Sequence, residues 1–189
     1  MSRTAALDAR RAQLLAVGKR IFSDRAYDAV STDEIATEAG ISTGLLYHYF
    51  SNKKGFYVAT IRAAADELLA ATRFPPGLSL AEAAPAALGS FVDFIEANAV
   101  LYQGLMRGGV GADAEVFAIL EEVRATFVSR VLDAAGVPSS PSLRIHLYGW
   151  LGLVEATSLR WLTHREIGRE ELLGLMLTTV PPSLLETQA

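Results

Sequence analysis

The chain has 189 residues, of which 51% are hydrophobic and 20% are charged, and its formal net charge is −4. This length suits one domain, or a small domain joined to a larger one, and the apolar content excludes an intrinsically disordered chain. The absence of cysteine excludes disulfides, thiolate zinc sites and a cysteine nucleophile.

The apolar residues are not gathered into a signal peptide or a membrane span. The N-terminal segment, residues 1–8, lacks an apolar run, and no stretch approaches the ~20 apolar residues that a membrane helix requires. We therefore expect a cytoplasmic protein with no membrane partner. The apolar fraction exceeds what a monomer of this size easily covers, so a self-association interface or an internal cavity is expected.

Charge is distributed unevenly along the chain. Residues 1–55 contain 8 basic and 6 acidic side chains, whereas the remainder contains 9 basic and 15 acidic ones. All three lysines lie within the first 54 residues. This asymmetry makes the N-terminal third the candidate for nucleic-acid binding. On charge alone, a chance difference on a solvated surface explains it about as well.

Apolar residues in the N-terminal part recur at spacings of three and four, which predicts helices over residues 8–24, 32–38, 43–49 and 53–72. The second of these opens with a capping box, in which Ser31 accepts from a backbone N–H three residues on and Glu34 reaches back. Gly40 stands where a helix ends in a left-handed conformation, and Ser42 is a new N-cap.

The same periodicity continues through the rest of the chain. It predicts one or two helices over residues 79–106, followed by helices at 113–135, 142–164 and 170–179. Residues 74–77, Phe-Pro-Pro-Gly, end the preceding helix, and Gly108–Gly111 is expected to be a loop. No alternating pattern typical of a strand stands out, so the predicted fold class is all-α.

Two short helices joined by a tight turn at a glycine are typical of a helix-turn-helix. The small residues Ser42, Thr43 and Gly44 make the start of the second helix narrow enough to enter the major groove of DNA. Leu46 and Phe50 lie four apart on one face, where they can hold that helix against the first. Lys53, at the start of the next helix, could contact a phosphate.

The stretch from Ile35 to Lys53, IATEAGISTGLLYHYFSNK, resembles the signature of the TetR family of bacterial transcriptional regulators. Ile21, Phe22 and Tyr27 also match it, as do the length and the helical pattern. The resemblance is specific over residues 8–57. It implies a homodimer, a three-helix DNA-binding domain over residues 1–55, and a helical effector-binding and dimerisation domain over residues 56–189.

The resemblance also assigns roles to individual residues of the N-terminal part. It implies double-stranded DNA with a palindromic operator as the partner, and Lys53 as a phosphate contact. Lys54 departs from the acidic residue that is common in the family. The expected DNA-binding residues are Ser31, Thr32, Ser42, Thr43, Gly44, Leu45, Tyr47, His48 and Lys53.

The effector and the dimer interface are assigned to the C-terminal part with less sequence support. Aromatic residues on its long helices could together line a cavity for a small, largely apolar effector, although core packing is the better explanation for any one of them. The expected effector-binding residues are Phe91, Tyr102, Met106, Phe117, Trp150 and Glu155. The leucine-rich helices of residues 142–179 suit either a dimer interface or an intramolecular core, and the expected interface residues are Leu147, Leu151, Leu159, Leu172, Leu175 and Met176.

The predicted function is ligand-responsive control of transcription, most often repression, and two other functions compete with it. The helix-turn-helix could serve as a docking surface in an interaction protein. Residues 40–44, Gly-Ile-Ser-Thr-Gly, match the G-x-S-x-G pattern of a serine hydrolase, but that elbow follows a strand rather than a capped helix. His48, His146 and His164 are far apart, and no Glu-x-x-His pair exists. We therefore expect no catalytic residue, no metal and no other cofactor.

Overall fold

A computed structural model describes residues 3–107 and 113–184, and over these residues the fold is all-α, as predicted. The predicted loop at Gly108–Gly111 lies outside the described residues. Short 3-10 turns occur at Tyr27–Ala29 and Pro182–Leu184. The helices are α1 (Arg3–Asp24), α2 (Thr32–Glu38), α3 (Thr43–Phe50), α4 (Lys53–Ala71), α5 (Leu80–Ala97), α6 (Ala99–Met106), α7 (Ala114–Ala135), α8 (Pro141–His164) and α9 (Arg169–Thr178).

The region predicted as one or two helices over residues 79–106 contains two, separated at Asn98. Asn98 is buried and adopts φ −125° and ψ 35°, which lies outside the helical region. Its side-chain oxygen accepts a hydrogen bond of 2.9 Å from the hydroxyl of Ser23 on α1. The polar side chain at the break is therefore held by a partner distant in sequence.

The described chain divides into two compact units. Unit 1 comprises residues 1–66 and 98–119, and unit 2 comprises residues 67–97 and 120–189. Helices α4 and α7 contribute residues to both units. The domain division predicted at residues 55 and 56 stays a prediction.

Unit 1 is built around buried aromatic side chains from α1, α3 and α4. The ring centroids of Phe22 and Tyr57 are 4.8 Å apart, and those of Phe50 and Phe56 are 4.9 Å apart. Helix α6 packs against α1, and α2 packs against both α1 and α3. The three helices of the N-terminal motif therefore share one apolar core.

The close packing of α1 against α4 depends on Gly18. A Cβ atom at this position would lie 2.5 Å from Oγ1 of Thr60 and 2.7 Å from the ring of Phe56. Both of those residues are fully buried. Neither can move aside freely in a well-packed core, so only glycine fits where the two helices meet.

Unit 2 has its own apolar core, formed by α5, α7, α8 and α9 together with the C-terminal 3-10 turn. Leu80, Val128, Leu147 and Leu184 are among its buried members. Because these residues come from segments spread over about a hundred positions, the core joins all parts of unit 2 rather than one helical hairpin.

Polar contacts fix the ends of the helices of unit 2. Arg165 ends α8 in the left-handed conformation, with φ 52° and ψ 39°, which is uncommon for a residue other than glycine. Its guanidinium lies 3.8 Å from the ring centroid of Trp161 and 2.7 Å from the carboxylate of Glu96. Arg169 begins α9 and forms a 2.6 Å ion pair with Asp93. These contacts connect α5 to the α8–α9 turn.

In the part of the chain that the structure describes, no single helix is long and apolar enough to cross a membrane; α5 and α6 reach that length and composition only when they are counted together.

Substitution Gly18→Ala should destabilise the protein by about 1–3 kcal/mol, because the added methyl group overpacks the contact between α1 and α4. The matched control is Gly104→Ala in α6, where a Cβ atom would meet nothing within 4 Å. That substitution should stabilise the helix by about 0.5–1 kcal/mol. Urea unfolding of both variants tests the pair, and equal midpoints would contradict the tight packing at Gly18.

Candidate DNA-binding site

Helix α2 begins with the predicted capping box. The hydroxyl of Ser31 accepts from the backbone N–H of Glu34 at 3.2 Å, and the carboxylate of Glu34 accepts from the backbone N–H of Ser31 at 2.7 Å. The hydrogen bond from the backbone N–H of Ser31, followed by the one from the Arg25 side chain, lowers the pKa of Glu34 to about 2. The caps therefore fix the first turn of a helix only seven residues long. Thr32, the first residue of α2, is half-buried.

The turn between α2 and α3 has the predicted geometry. Gly40 adopts φ +63°, a left-handed conformation that glycine reaches without the steric cost of a Cβ atom. Ser42 then caps α3, because its hydroxyl accepts from the backbone N–H of Leu45 at 3.2 Å. Local sequence thus determines both the end of α2 and the start of α3.

Helix α3 has one buried face and one exposed face. Leu46 and Phe50 are buried, which confirms the prediction that they hold the helix against the rest of the motif. Leu45, Tyr47 and His48 are exposed. The exposed side chains, together with Ser42 and Gly44 at the start of the helix, are free of core packing and are available to a partner.

Thr43 and Asp33 form a contact that the sequence analysis missed. The hydroxyl of Thr43, the first residue of α3, donates to a carboxylate oxygen of Asp33 at 2.8 Å. Asp33 lies in the first turn of α2 and is exposed. The two residues are ten positions apart, and no short-range pattern indicates that they meet.

The two adjacent lysines at the start of α4 have different surroundings. The ammonium group of Lys53 lies 4.1 Å from the ring centroid of Tyr27, a cation–π contact. The ammonium of Lys54 lies 2.7 Å from Asp113 and 3.2 Å from Glu115, and these contacts raise the pKa of Lys54. Acidic groups therefore compensate the charge of Lys54, whereas Lys53 rests on a neutral ring.

Acidic residues of α2 are also paired with arginines of the N-terminal segment. Arg20 lies 3.1 Å from Glu38, and Arg25 lies 2.9 Å from Glu34. These pairs are exposed and add little to stability. Their charges cancel in pairs, so these four residues contribute nothing to the modest basic excess of residues 1–55.

The six predicted effector-binding residues are distributed over both units. Met106 in unit 1 is half-buried. Tyr102 is buried in unit 1, and Phe91 is buried in unit 2. Phe117 in unit 1 is 56% exposed. Trp150 in unit 2 is half-buried and donates its indole N–H to the carbonyl of Met176 at 3.1 Å. Their role in binding an effector stays a prediction.

Glu155, the sixth of these residues, pairs with an arginine that the sequence analysis did not consider. Nε of Arg124 on α7 lies 2.8 Å from one carboxylate oxygen of Glu155, and Nη2 lies 3.0 Å from the other. Arg124 also donates to Glu121, and the two carboxylates raise the pKa of the guanidinium, the bonds donated to Glu155 contributing most. The carboxylate therefore has a bidentate partner within unit 2.

The predicted dimer-interface residues lie on α8 and α9 of unit 2, and their exposure differs. Leu147, Leu172 and Met176 are buried within the protomer. Leu151 and Leu159 are half-buried, and Leu175 is 41% exposed. Of the six, Leu175 offers the most surface to a partner chain.

Two family profiles match the chain. The profile described as "Bacterial regulatory proteins, tetR family" matches residues 14–60. The profile described as "Tetracyclin repressor-like, C-terminal domain" matches residues 80–180. The first match contains the capped helices and the turn of the candidate site, and the second spans more than half of the chain.

Individual proteins support the same assignment. The HTH-type transcriptional activator FasR of Mycolicibacterium smegmatis is 31% identical over 128 residues, which cover 67% of this chain and 58% of FasR. A TetR-family transcriptional regulator from Streptomyces coelicolor has a similar crystal structure, with a TM-score of 0.85 and 33% identity over 94% of this chain and 81% of that one. FadR of Bacillus subtilis, solved in complex with stearoyl-CoA, shares the fold at 13% identity, with a TM-score of 0.69 over 94% of this chain and 98% of FadR.

The comparisons decide between the functions that the sequence left open. The relatives are transcriptional regulators, not hydrolases, and the G-x-S-x-G pattern at residues 40–44 follows helix α2 rather than a strand. Ser42 acts as a helix cap in this setting. With both its N-terminal and C-terminal parts matched, the chain belongs to the TetR family of bacterial transcriptional regulators.

Proposed function

We propose that this chain is a homodimeric repressor that binds a palindromic operator through α3 and leaves it when a small, largely apolar effector binds. Residues 1–55 form the DNA-binding domain in this proposal, and residues 56–189 bind the effector and the partner chain. The observation that carries the DNA-binding part is the exposed face of α3, which follows a capped turn and is held by Leu46 and Phe50.

Five of the nine predicted DNA-binding residues fit two kinds of contact. Ser42, Thr43, Gly44 and Leu45 form the first turn of α3 and its cap, where a recognition helix contacts base edges. Lys53 lies at the N-terminus of α4, a position suited to a phosphate. Two copies in a dimer would read half-sites about 34–36 Å apart, or a small multiple of that spacing.

Substitution Lys53→Ala should reduce the steepness of the plot of log K for DNA binding against log salt concentration. The slope should change by about one unit per subunit, because one phosphate contact is lost. Lys54→Ala removes the same charge from the adjacent position and is the matched control. Its effect should be smaller, because Asp113 and Glu115 already compensate Lys54.

The test begins with selection of bound sequences from random DNA, followed by titration of the selected duplex and of a random duplex at several salt concentrations. Palindromic selected sites are expected from a dimer. Failure of the wild-type chain to enrich any sequence would contradict the proposed function. Equal slopes for the two lysine variants would contradict the phosphate contact of Lys53.

We place the dimer interface on α8 and α9, where apolar side chains remain on the surface of unit 2. Ile145 is 72% exposed on α8, and Leu175 is 41% exposed on α9. A Cβ atom added at Gly149, Gly152 or Gly174 would meet nothing within 4 Å in the protomer, so a partner helix could approach closely at these positions. Exposed apolar groups of this kind are typical of protein–protein interfaces.

Substitution Leu175→Glu should weaken the dimer at least about tenfold, because two carboxylates are placed in an apolar interface related by twofold symmetry. Leu78→Glu is the matched control, since Leu78 is 42% exposed and lies outside α8 and α9. Sedimentation over a range of protein concentrations measures both. A monomeric wild-type chain, or equal effects of the two substitutions, would contradict this interface.

The effector is proposed to be a small, largely apolar molecule because buried aromatic side chains, including Phe91 and Trp161, are present in unit 2. FadR shares the fold and is described as a complex with stearoyl-CoA, which makes that molecule a reasonable first probe. A ligand can displace the protein from DNA only to the extent that it binds the DNA-free conformation more tightly than the DNA-bound one.

Stearoyl-CoA should displace the chain from its operator and change the fluorescence of the two tryptophans, which both lie in unit 2. Coenzyme A alone is the control, because it lacks the apolar chain. Reversal of a 99:1 preference for the DNA-bound state would need roughly a 10⁴-fold difference in ligand affinity between states. Equal responses to the two compounds, or none, would contradict a long acyl effector.

A further inference from the structure

The hydrogen bond between Thr43 and Asp33 links the first turn of α2 to the first residue of α3. The hydroxyl of Thr43 donates to Oδ1 of Asp33 at 2.8 Å, which is a favourable distance for an O–H donor and a carboxylate. Asp33 is exposed and Thr43 is half-buried. The contact therefore lies at the surface, at the end of α3 proposed to enter the major groove.

The capping box and the ion pairs of α2 are formed by residues other than Asp33. Ser31 and Glu34 supply the capping box, and Glu34 and Glu38 form the ion pairs with arginines. The side-chain contact that the structure gives Asp33 is instead with a neutral hydroxyl. The carboxylate of Asp33 therefore orients Thr43, whereas Glu34 takes part in the capping box and in an ion pair.

The contact restricts what Thr43 can do. A threonine hydroxyl has one proton to donate and two lone pairs that accept, whereas an ionised carboxylate only accepts. Once the proton is directed to Asp33, the hydroxyl of Thr43 can only accept from another group. The β-branched side chain also has few χ1 rotamers, so the bond to Asp33 fixes the direction of both the lone pairs and the methyl group.

Base edges in the major groove differ in whether they donate or accept a hydrogen bond. Adenine and cytosine present amino groups that donate, whereas guanine and the O4 atom of thymine present acceptors. A hydroxyl that can only accept forms a hydrogen bond with adenine or cytosine and not with guanine or thymine. Its methyl group can additionally contact the methyl of a neighbouring thymine.

We propose that Asp33 is a positioning residue for base selection, which restricts Thr43 to bases that donate a hydrogen bond, adenine or cytosine, on the strand that it faces. This inference rests on the proposed function, since it requires α3 to contact base edges. It adds a specificity determinant on α2, outside the recognition helix.

The experiment compares the full-length wild-type chain with four variants on the selected operator and on duplexes that change one symmetric pair of positions at a time. Asp33→Ala removes the acceptor, and Asp33→Asn keeps an acceptor oxygen without the charge. Thr43→Val keeps the methyl group and removes the hydroxyl. The fourth variant, Glu38→Ala, removes an equal charge from α2 without touching Thr43. Thermal unfolding confirms that each variant is folded.

Asp33→Ala should reduce discrimination against guanine and thymine by about two- to tenfold at one position of each half-site, the contribution of one neutral hydrogen bond. Thr43→Val should reduce discrimination at the same position. Asp33→Asn should retain the wild-type base preference, because its carboxamide oxygen still accepts from Thr43. Glu38→Ala should leave the preference unchanged at every position.

Three results would overturn the inference. Asp33→Ala could change the affinity for all duplexes by one common factor, which would make the carboxylate a source of charge alone. Asp33→Ala and Thr43→Val could act at different base pairs, or Asp33→Asn could behave like Asp33→Ala. A wild-type chain without any preferred sequence would instead overturn the proposed function, and this outcome is recognised before any variant is measured.

Discussion

The candidate site depends on the burial of a small group of aromatic rings beneath it. Phe22 and Phe56 are fully buried, and Phe50 brings the last turn of α3 into contact with Phe56. Burial also raises the pKa of Tyr57 in the same cluster to about 12. Aromatic pairs in such geometry contribute about 0.5–1.5 kcal/mol beyond the area that they bury. The orientation of an exposed recognition surface is therefore set by apolar contacts on its opposite face.

Local signals made the N-terminal motif predictable. The capping box at Ser31, the left-handed Gly40 and the cap at Ser42 each involve residues within a few positions of one another, and the structure confirms all three. The burial of Leu46 follows from helical periodicity for the same reason. The bond between Asp33 and Thr43 could not be predicted, because it exists only after the turn brings two helices together.

The C-terminal part was predictable as helices but not as a site. Periodicity identifies the apolar face of a helix without stating what covers it. The periodicity of Leu147 and Met176 suits either a dimer interface or an intramolecular core, and in the protomer both are buried in unit 2. Glu155 illustrates the same limit for a polar residue, since its partner Arg124 lies 31 positions away. The sequence therefore reveals where the helices are, but it does not reveal which distant helices contact one another.

The contact of Lys53 with Tyr27 has a consequence for the strength of the phosphate contact proposed for Lys53. A lysine side chain has about 2 kcal/mol of rotamer entropy, and part of this is lost when its ammonium is fixed on a phosphate. The ring of Tyr27 already restricts the ammonium of Lys53, which lies 4.1 Å from its centroid. The free protein therefore already has part of the ordering that the proposed contact requires. The ring of Tyr27 would in this way strengthen the proposed phosphate contact by lowering its entropic cost.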